Sequence, residues 1–283
     1  MYSLKLNNGV NMPILGYGVY QIDPAECERC VMDAISVGYR SIDTAQAYKN
    51  EEGVGNAINK CGVPRSELFI TTKVWISNAG YDNAKASIVD SLKKLKTDYI
   101  DLLLIHQPFN DYYGTYRAMT EAYKEGKIRA IGVSNFYPDR LIDFCQFQEV
   151  VPAVNQVETH PFQQQKVAHE IMKKYNVQHE SWGPFAEGRK DMFTNPIIKA
   201  VGDKYGKSVA QVILRFLIQN DVVVIPKTTH KERMIENLNV FDFSLSAEDM
   251  SAIAALDEAE SAFFSHHDPQ IVEYLTERGK QGL

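Results

Sequence analysis

Cationic residues are in short supply: 30 Lys and Arg stand against 36 Asp and Glu, a formal net charge of −6. That balance argues against nucleic acid or an anionic membrane as the main partner, because both demand clustered positive charge. A small anionic ligand stays open, since a local field can oppose the global one. Long apolar runs are lacking too. No stretch approaches the roughly 18 apolar residues of a membrane-spanning helix. The first residues, with Lys5 and Pro13 and no continuous apolar core, do not read as a signal peptide. Cysteine is sparse: Cys27, Cys30, Cys61 and Cys145. The first two form a C-x-x-C, but no Cys or His group at zinc spacing accompanies them. They fall about one turn apart inside an expected helix and read as ordinary packing or surface thiols. A reduced, cytoplasmic protein fits that usage. Missing as well is the third glycine of a dinucleotide-binding loop, for Gly16-Tyr17-Gly18 runs on into Val19-Tyr20-Gln21. That removes the main signature of a doubly wound sheet. No low-complexity tract, linker or internal repeat marks a second domain.

What is present is a regular alternation of short apolar runs and helical patterns. A hairpin comes first: Leu4-Lys5-Leu6, a turn at Asn7-Asn8-Gly9 whose Asn-Gly pair tolerates positive φ, then Val10 to Met12. Eight runs then read as strands: Leu15–Val19, Tyr39–Asp43, Leu68–Val74, Tyr99–His106, Ile128–Ser134, Val154–Glu158, Val177–Trp182 and Val222–Pro226. Asp23-Pro24 opens the first helix between them and Gly38 closes it. Asn50 precedes Glu51-Glu52, whose charges suit a helix N-terminus. Further helices are expected over Tyr81–Leu95, Tyr113–Lys124, Asp139–Phe147, Lys166–Tyr175, Ser208–Ile218 and Lys231–Leu238. Pro196 to Lys204 reads as an extra short helix, and Ser246-Ala247-Glu248-Asp249 begins another with a capping-box-like start. Such alternation means parallel strands joined by crossovers, and eight such units close a barrel. The expected fold is α/β: a (β/α)8 TIM barrel spanning 1–283 as one domain, with an N-terminal β-hairpin and extra C-terminal helices and loop.

A TIM barrel gathers its chemistry at the C-terminal ends of its strands. The second expected strand ends in Asp43, with Tyr48 five residues on. The third ends near Lys73 and the fourth in His106; the fifth runs into Ser134-Asn135, and the sixth carries Asn155-Gln156. The seventh ends at Trp182, and the eighth runs into Pro226-Lys227. Singly, most have bland readings: a loop Tyr as amphipathic surface, His106 before Pro108 as a structural residue, Asp43 as a turn cap. Lys73 is different. It follows Phe69-Ile70-Thr71-Thr72 in a strand that should be buried, where a Lys is rarely tolerated without a charge partner. Four polar groups converging on one mouth point to catalysis.

Gly38-Tyr39-Arg40-Ser41-Ile42-Asp43-Thr44-Ala45 with Tyr48, Lys73 and His106 resembles the Asp–Tyr–Lys–His tetrad of the aldo-keto reductases. The resemblance continues through Gly132-Val133-Ser134-Asn135-Phe136, Asn155-Gln156-Val157-Glu158 and Val224-Ile225-Pro226-Lys227, and covers nearly the whole chain. Glu180-Ser181-Trp182-Gly183-Pro184 and His106-Gln107-Pro108 are similar to the bacterial branch that includes 2,5-diketogluconate reductases. The resemblance implies a monomeric enzyme that reduces small aldehydes and ketones with NADPH. It implies that Trp182 stacks on the nicotinamide while Ser134, Asn135 and Gln156 hold its carboxamide. Gly18, Val19, Tyr20, Asp43, Gly183 and Phe185 would complete that end of the cofactor site. At the other end Lys227, Thr228, Thr229 and Arg233 would hold the adenosine 2′-phosphate, with Glu236 and Asn237 at the adenine. Read alone, Lys231 to Asn237 is a solvated helix face; directly after the eighth strand it sits where TIM barrels commonly bind phosphate. Tyr20, Tyr48, Trp75, His106 and Gln107 would line the substrate pocket.

Carbonyl reduction places a hydride on carbon and a proton on oxygen, and Tyr48 is the expected donor. A free phenol titrates at about 10, and the Lys73 ammonium is expected to lower that value. Asp43 would keep Lys73 charged, and His106 would donate a hydrogen bond that orients the carbonyl. Many relatives have Trp directly after the His, where this chain has Gln107, which makes one side of the pocket more polar. The C-terminal loop Phe263-Phe264-Ser265-His266-His267 carries two histidines without acidic or Cys neighbours at ligand spacing, so no metal is expected. Two rival readings remain: a Schiff-base aldolase with Lys73 as nucleophile, and a binding module that keeps NADPH as a sensor.

Overall fold

The computed structural model describes residues 2–281. Ser3–Lys5 (β1) and Asn11–Pro13 (β2) pair antiparallel with Leu4 opposite Met12. The turn closes through the Leu6 amide on the Val10 carbonyl at 2.8 Å, with Gly9 at a φ of 87°, a conformation that costs glycine nothing.

Eight parallel strands follow: Tyr17–Gly18 (β3), Ser41–Asp43 (β4), Phe69–Val74 (β5), Ile100–Ile105 (β6), Ile128–Ser134 (β7), Val154–Glu158 (β8), Gln178–Trp182 (β9) and Val223–Val224 (β10). Each pairs with its neighbour in sequence. Burial on both faces explains uninterrupted apolar runs such as Leu102-Leu103-Leu104. The seam between first and last strands is held by a parallel bridge from Leu15 to Val224. Around it the Val224 amide donates to Ile14 at 3.0 Å, Gly16 to Val224 at 2.8 Å and Gly18 to Pro226 at 3.2 Å. A Cβ on Gly18 would lie 2.8 Å from the Ile225 carbonyl oxygen, so the closure itself demands glycine there.

The helices are Pro24–Val37 (α1), Glu51–Lys60 (α2), Tyr81–Leu95 (α3), Tyr112–Lys124 (α4), Pro138–Phe147 (α5), Lys166–Lys174 (α6), Pro196–Tyr205 (α7), Val209–Gln219 (α8), Lys231–Leu238 (α9), Ala247–Ala254 (α10) and Pro269–Lys280 (α11). Local chemistry sets their ends. Asp23 caps α1 through the Ala25 amide at 2.8 Å, Ser208 and Gln211 form a full capping box on α8, and Ser246 caps α10. Each expected strand is present, though the two at the seam are trimmed to two residues apiece.

As expected, α2 starts at Glu51 after Asn50 with two acidic residues in its first turn. Glu51 is buried, accepts from Thr72 Oγ1 at 2.7 Å, and burial raises its pKa. Asn50 makes no side-chain cap and instead ties Thr44 (2.7 Å) to the Val19 carbonyl (2.9 Å). The position of α11 was not anticipated, although Asp268-Pro269 repeats the Asp-Pro start of α1. It brings Leu275 against Trp75, Ile76 and Phe109, beside the barrel mouth.

Candidate active site

Asp43 is the last residue of β4, Lys73 the penultimate residue of β5, and His106 directly follows β6. Tyr48 closes the short turn Gln46–Tyr48. The barrel brings these four together. Lys73 is fully buried, and its Nζ lies 2.5 Å from Asp43 Oδ1, 3.0 Å from the Thr44 carbonyl and 3.4 Å from the Tyr48 hydroxyl. The second carboxylate oxygen of Asp43 accepts from Gln156 Nε2 at 2.9 Å. The His106 ring meets Tyr48 edge-on at 5.5 Å between centroids and Trp75 at 5.0 Å. Tyr20, half exposed, lies 5.0 Å from the Tyr48 ring.

Burial opposes the charge on Lys73, but Asp43, Tyr48 and Glu180 raise its pKa to about 12. The amine is therefore an ammonium at neutral pH and a poor nucleophile. The expected lowering of the Tyr48 pKa does not hold. Burial dominates and Lys73 only partly offsets it, leaving the phenol pushed up to about 12. His106 is held well below the usual histidine range by burial, then by Lys73 and His266, so its ring is neutral. Its Nδ1 is buried without a hydrogen-bond partner among the described residues.

Glu180, on β9, is not among the expected site residues. It is fully buried, and neither carboxylate oxygen has a hydrogen-bond partner among the described residues. Burial first, then repulsion by Asp43, pushes its pKa up to about 8, while Gln156 and Lys73 draw it down. A buried carboxyl beside a second carboxylate, that of Asp43, is held more cheaply with its proton on. The available signal is an acidic residue at the centre of a strand that is itself buried, Gln178-His179-Glu180-Ser181-Trp182.

The rest of the rim divides into two groups. Ser134 Oγ donates to the Gln156 carbonyl at 2.7 Å, and Asn135 Oδ1 accepts from Trp182 Nε1 at 2.8 Å. Trp182 packs 5.3 Å from Phe263, above Gly183 at a φ of 61°; Phe185 packs on Phe193 instead. Beyond β10, Lys227 and Arg233 are exposed and have no ion-pair partner among the described residues. Thr228 is buried, its carbonyl accepting from Tyr17 at 2.5 Å; Thr229 is half-buried beside it. Glu236 accepts from the Ser208 hydroxyl, and Asn237 is buried on the inner face of α9. Gly18 and Val19 are occupied by the seam and core. Val19 is fully buried, its amide on the Asp43 carbonyl at 3.0 Å and its own carbonyl taken by Asn50. Among the described residues no group of three or more His, Cys, Asp or Glu gathers to hold a metal ion.

Set beside known proteins, residues 9–258 match the model of the aldo/keto reductase family. The chain is 48% identical over 260 residues to a glyoxal reductase of Bacillus subtilis, covering 91% of this chain and 94% of that one. A solved aldo-keto reductase from a Medee basin deep-sea metagenome superimposes with a TM-score of 0.92 at 40% identity, over 94% of this chain and 99% of its own. A Bombyx mori aldo-keto reductase solved in complex with NADP gives a TM-score of 0.88 at 33% identity, over 93% and 95%.

Proposed function

The chain belongs to the aldo/keto reductase family, and from that premise we propose that it reduces a small aldehyde or ketone to the alcohol with NADPH, Tyr48 acting as the acid. The observation that carries this reading is the fully buried Lys73 tied to both Asp43 and the Tyr48 hydroxyl. When bound, NADPH supplies the hydride.

The chain's own residues do the rest. Tyr48 holds its proton at neutral pH and releases it to the carbonyl oxygen as negative charge develops there. Lys73 then stabilises the phenolate left behind, and Asp43 keeps the ammonium charged and in place. Neutral His106 donates to the same oxygen and orients it, with Trp75 and Tyr20 closing the apolar sides.

Several features fit the cofactor. Exposed, unpaired Lys227 and Arg233 follow the last strand, where a phosphate is met by a point charge and a planar fork. Thr228 and Thr229 flank that site, and Glu236, oriented by Ser208, lies with Asn237 on the adenine side. Trp182 presents the stacking face, held in plane by Asn135. Gln156 is bound to Asp43 through one amide hydrogen and keeps its oxygen for the carboxamide. Four free cysteines suit a reducing, cytoplasmic setting, and we place the protein there as a monomer.

The test follows NADPH consumption with small aldehydes, diketones and keto-sugars, then treats the protein with carbonyl and borohydride. Consumption without a lysine adduct is expected. An adduct on Lys73 with no nicotinamide requirement would replace the reductase with the Schiff-base reading.

A further inference from the structure

Two residues meet behind His106: the glutamine that follows it and a histidine of the C-terminal loop. Gln107 Oε1 lies 2.7 Å from His266 Nε2 and 3.3 Å from Asn135 Nδ2. The direction of every bond in this group follows from one fixed donor. The Trp182 indole N–H can only donate, and it sits 2.8 Å from the Asn135 side-chain oxygen. The amide nitrogen of Asn135 therefore faces Gln107, and Gln107 answers with its oxygen. His266 Nε2, on that same oxygen, must carry a proton.

A neutral imidazole then leaves Nδ1 as the acceptor. The Tyr137 hydroxyl lies 3.4 Å from Nδ1 and accepts from the His266 amide at 3.1 Å, which frees its own proton for the ring. His266 is 5% exposed and packs between Phe109 and Phe264 at 5.9 and 5.2 Å, so the aromatic walls hold the ring as well as the hydrogen bonds do. Burial, with Arg140 and His267, holds its pKa down to about 4, which keeps the ring neutral. With its oxygen doubly engaged, Gln107 retains an amide nitrogen with no hydrogen bond among the described residues.

We infer that His266 locks Gln107 so that its amide N–H is offered to an oxygen on the carbon beside the reacting carbonyl, selecting α-oxo and α-hydroxy carbonyls over plain aldehydes. Gln107 is then the specificity-determining residue and His266 a positioning residue that acts through it. The inference rests on the reductase reading. A pocket built around a donor discriminates because the analogue without the acceptor strands that donor.

The test compares diacetyl with butanal, taking the ratio of their kcat/KM values so that general damage cancels. Gln107→Leu is expected to lower that ratio by about tenfold, the scale of one lost hydrogen bond, chiefly through the KM for diacetyl. His266→Phe keeps the aromatic packing and loses the N–H; it should lower the ratio by several-fold alone and by nothing further on top of Gln107→Leu. Independently, ¹⁵N NMR of the wild-type histidines should show His266 as the Nε2–H tautomer, neutral to about pH 4. An Nδ1–H tautomer, or ratios unchanged in both variants, overturns the inference while leaving the reductase intact. A wild type that consumes NADPH with neither carbonyl sinks the reductase reading and this inference with it.

Discussion

The barrel buries a carboxylate against cations at both ends, and it does so in opposite ways. At the N-terminal end, Asp101 is fully enclosed and receives Arg65 at 2.7 Å, Arg129 at 2.6 Å and the Ile70 amide at 2.9 Å. Both arginine side chains keep contact with water, 21% and 43% exposed. At the mouth, Lys73 and Asp43 are sealed at 0% and 3%, while His106 Nδ1, Thr71 Oγ1 and both Glu180 oxygens have no hydrogen-bond partner among the described residues. The lower cluster offsets its desolvation through solvent-reaching arginines and satisfied acceptors, which is how a structural ion pair endures. The upper one leaves the His106 ring unpartnered among the described residues, where the proposed mechanism needs a donor to the reacting oxygen.

The largest expected effect comes from breaking the sealed pair. Lys73→Met leaves Asp43 buried and uncompensated, and should cost about 3–5 kcal/mol in urea unfolding besides nearly all turnover. Arg129→Met, with Arg65 still in place and water at hand, should cost about 1 kcal/mol or less and leave kcat untouched. Equal losses would erase the distinction between the two ends. Next, Tyr48→Phe should cut turnover by at least the ~10²-fold typical of lost acid catalysis, with NADPH affinity by fluorescence titration nearly unchanged. The wild-type rate of reduction should also show no alkaline fall from Tyr48 anywhere near neutrality, because its pKa stands at about 12. A limb near pH 8 that vanishes in Tyr48→Phe would contradict that.

At the rim, Arg233→Ala should weaken NADPH by about tenfold, the worth of one charge-assisted contact, and barely alter NADH. Equal losses for both would move the 2′-phosphate elsewhere. The subtlest effect belongs to Glu180. Its folded pKa is raised from 4.5 to about 8, so its stabilising contribution is complete below the ordinary carboxylate value and declines as pH rises toward 8. Glu180→Gln should lack that decline. Urea midpoints at pH 5 and pH 8 decide it, and parallel slopes in the two proteins would show that Glu180 is ionised throughout.

These contrasts also show what a linear reading of the chain can carry. Eight strands and the polar groups at their ends were legible because parallel strands buried on both faces leave apolar runs, and a Lys in such a run stands out. Asp43 ends β4, Lys73 lies one residue from the end of β5 and His106 follows β6, so the points where the apolar runs stop bring them to one rim once a barrel is assumed. The protonation of Tyr48 was not legible: its sign depends on how much burial outweighs one ammonium, a three-dimensional sum. Glu180 stands in plain view within Glu180-Ser181-Trp182, yet its protonation depends on burial and on Asp43 and Lys73, which only the closed barrel brings near it. His266 reaches Gln107 across 159 positions of chain, a distance over which no local pattern operates.

The seam where Leu15 bridges Val224 has a consequence for biosynthesis. As the chain leaves the ribosome, β3 is made before the other barrel strands and has no partner on its outer edge until β10 emerges. That leaves an open strand edge, a template for pairing with other chains, exposed through most of translation. The Tyr17 hydroxyl waits equally long for the Thr228 carbonyl. Products terminated before residue 224 would keep the tetrad residues but lack the closing strand, and should accumulate as aggregates rather than as a weakly active enzyme.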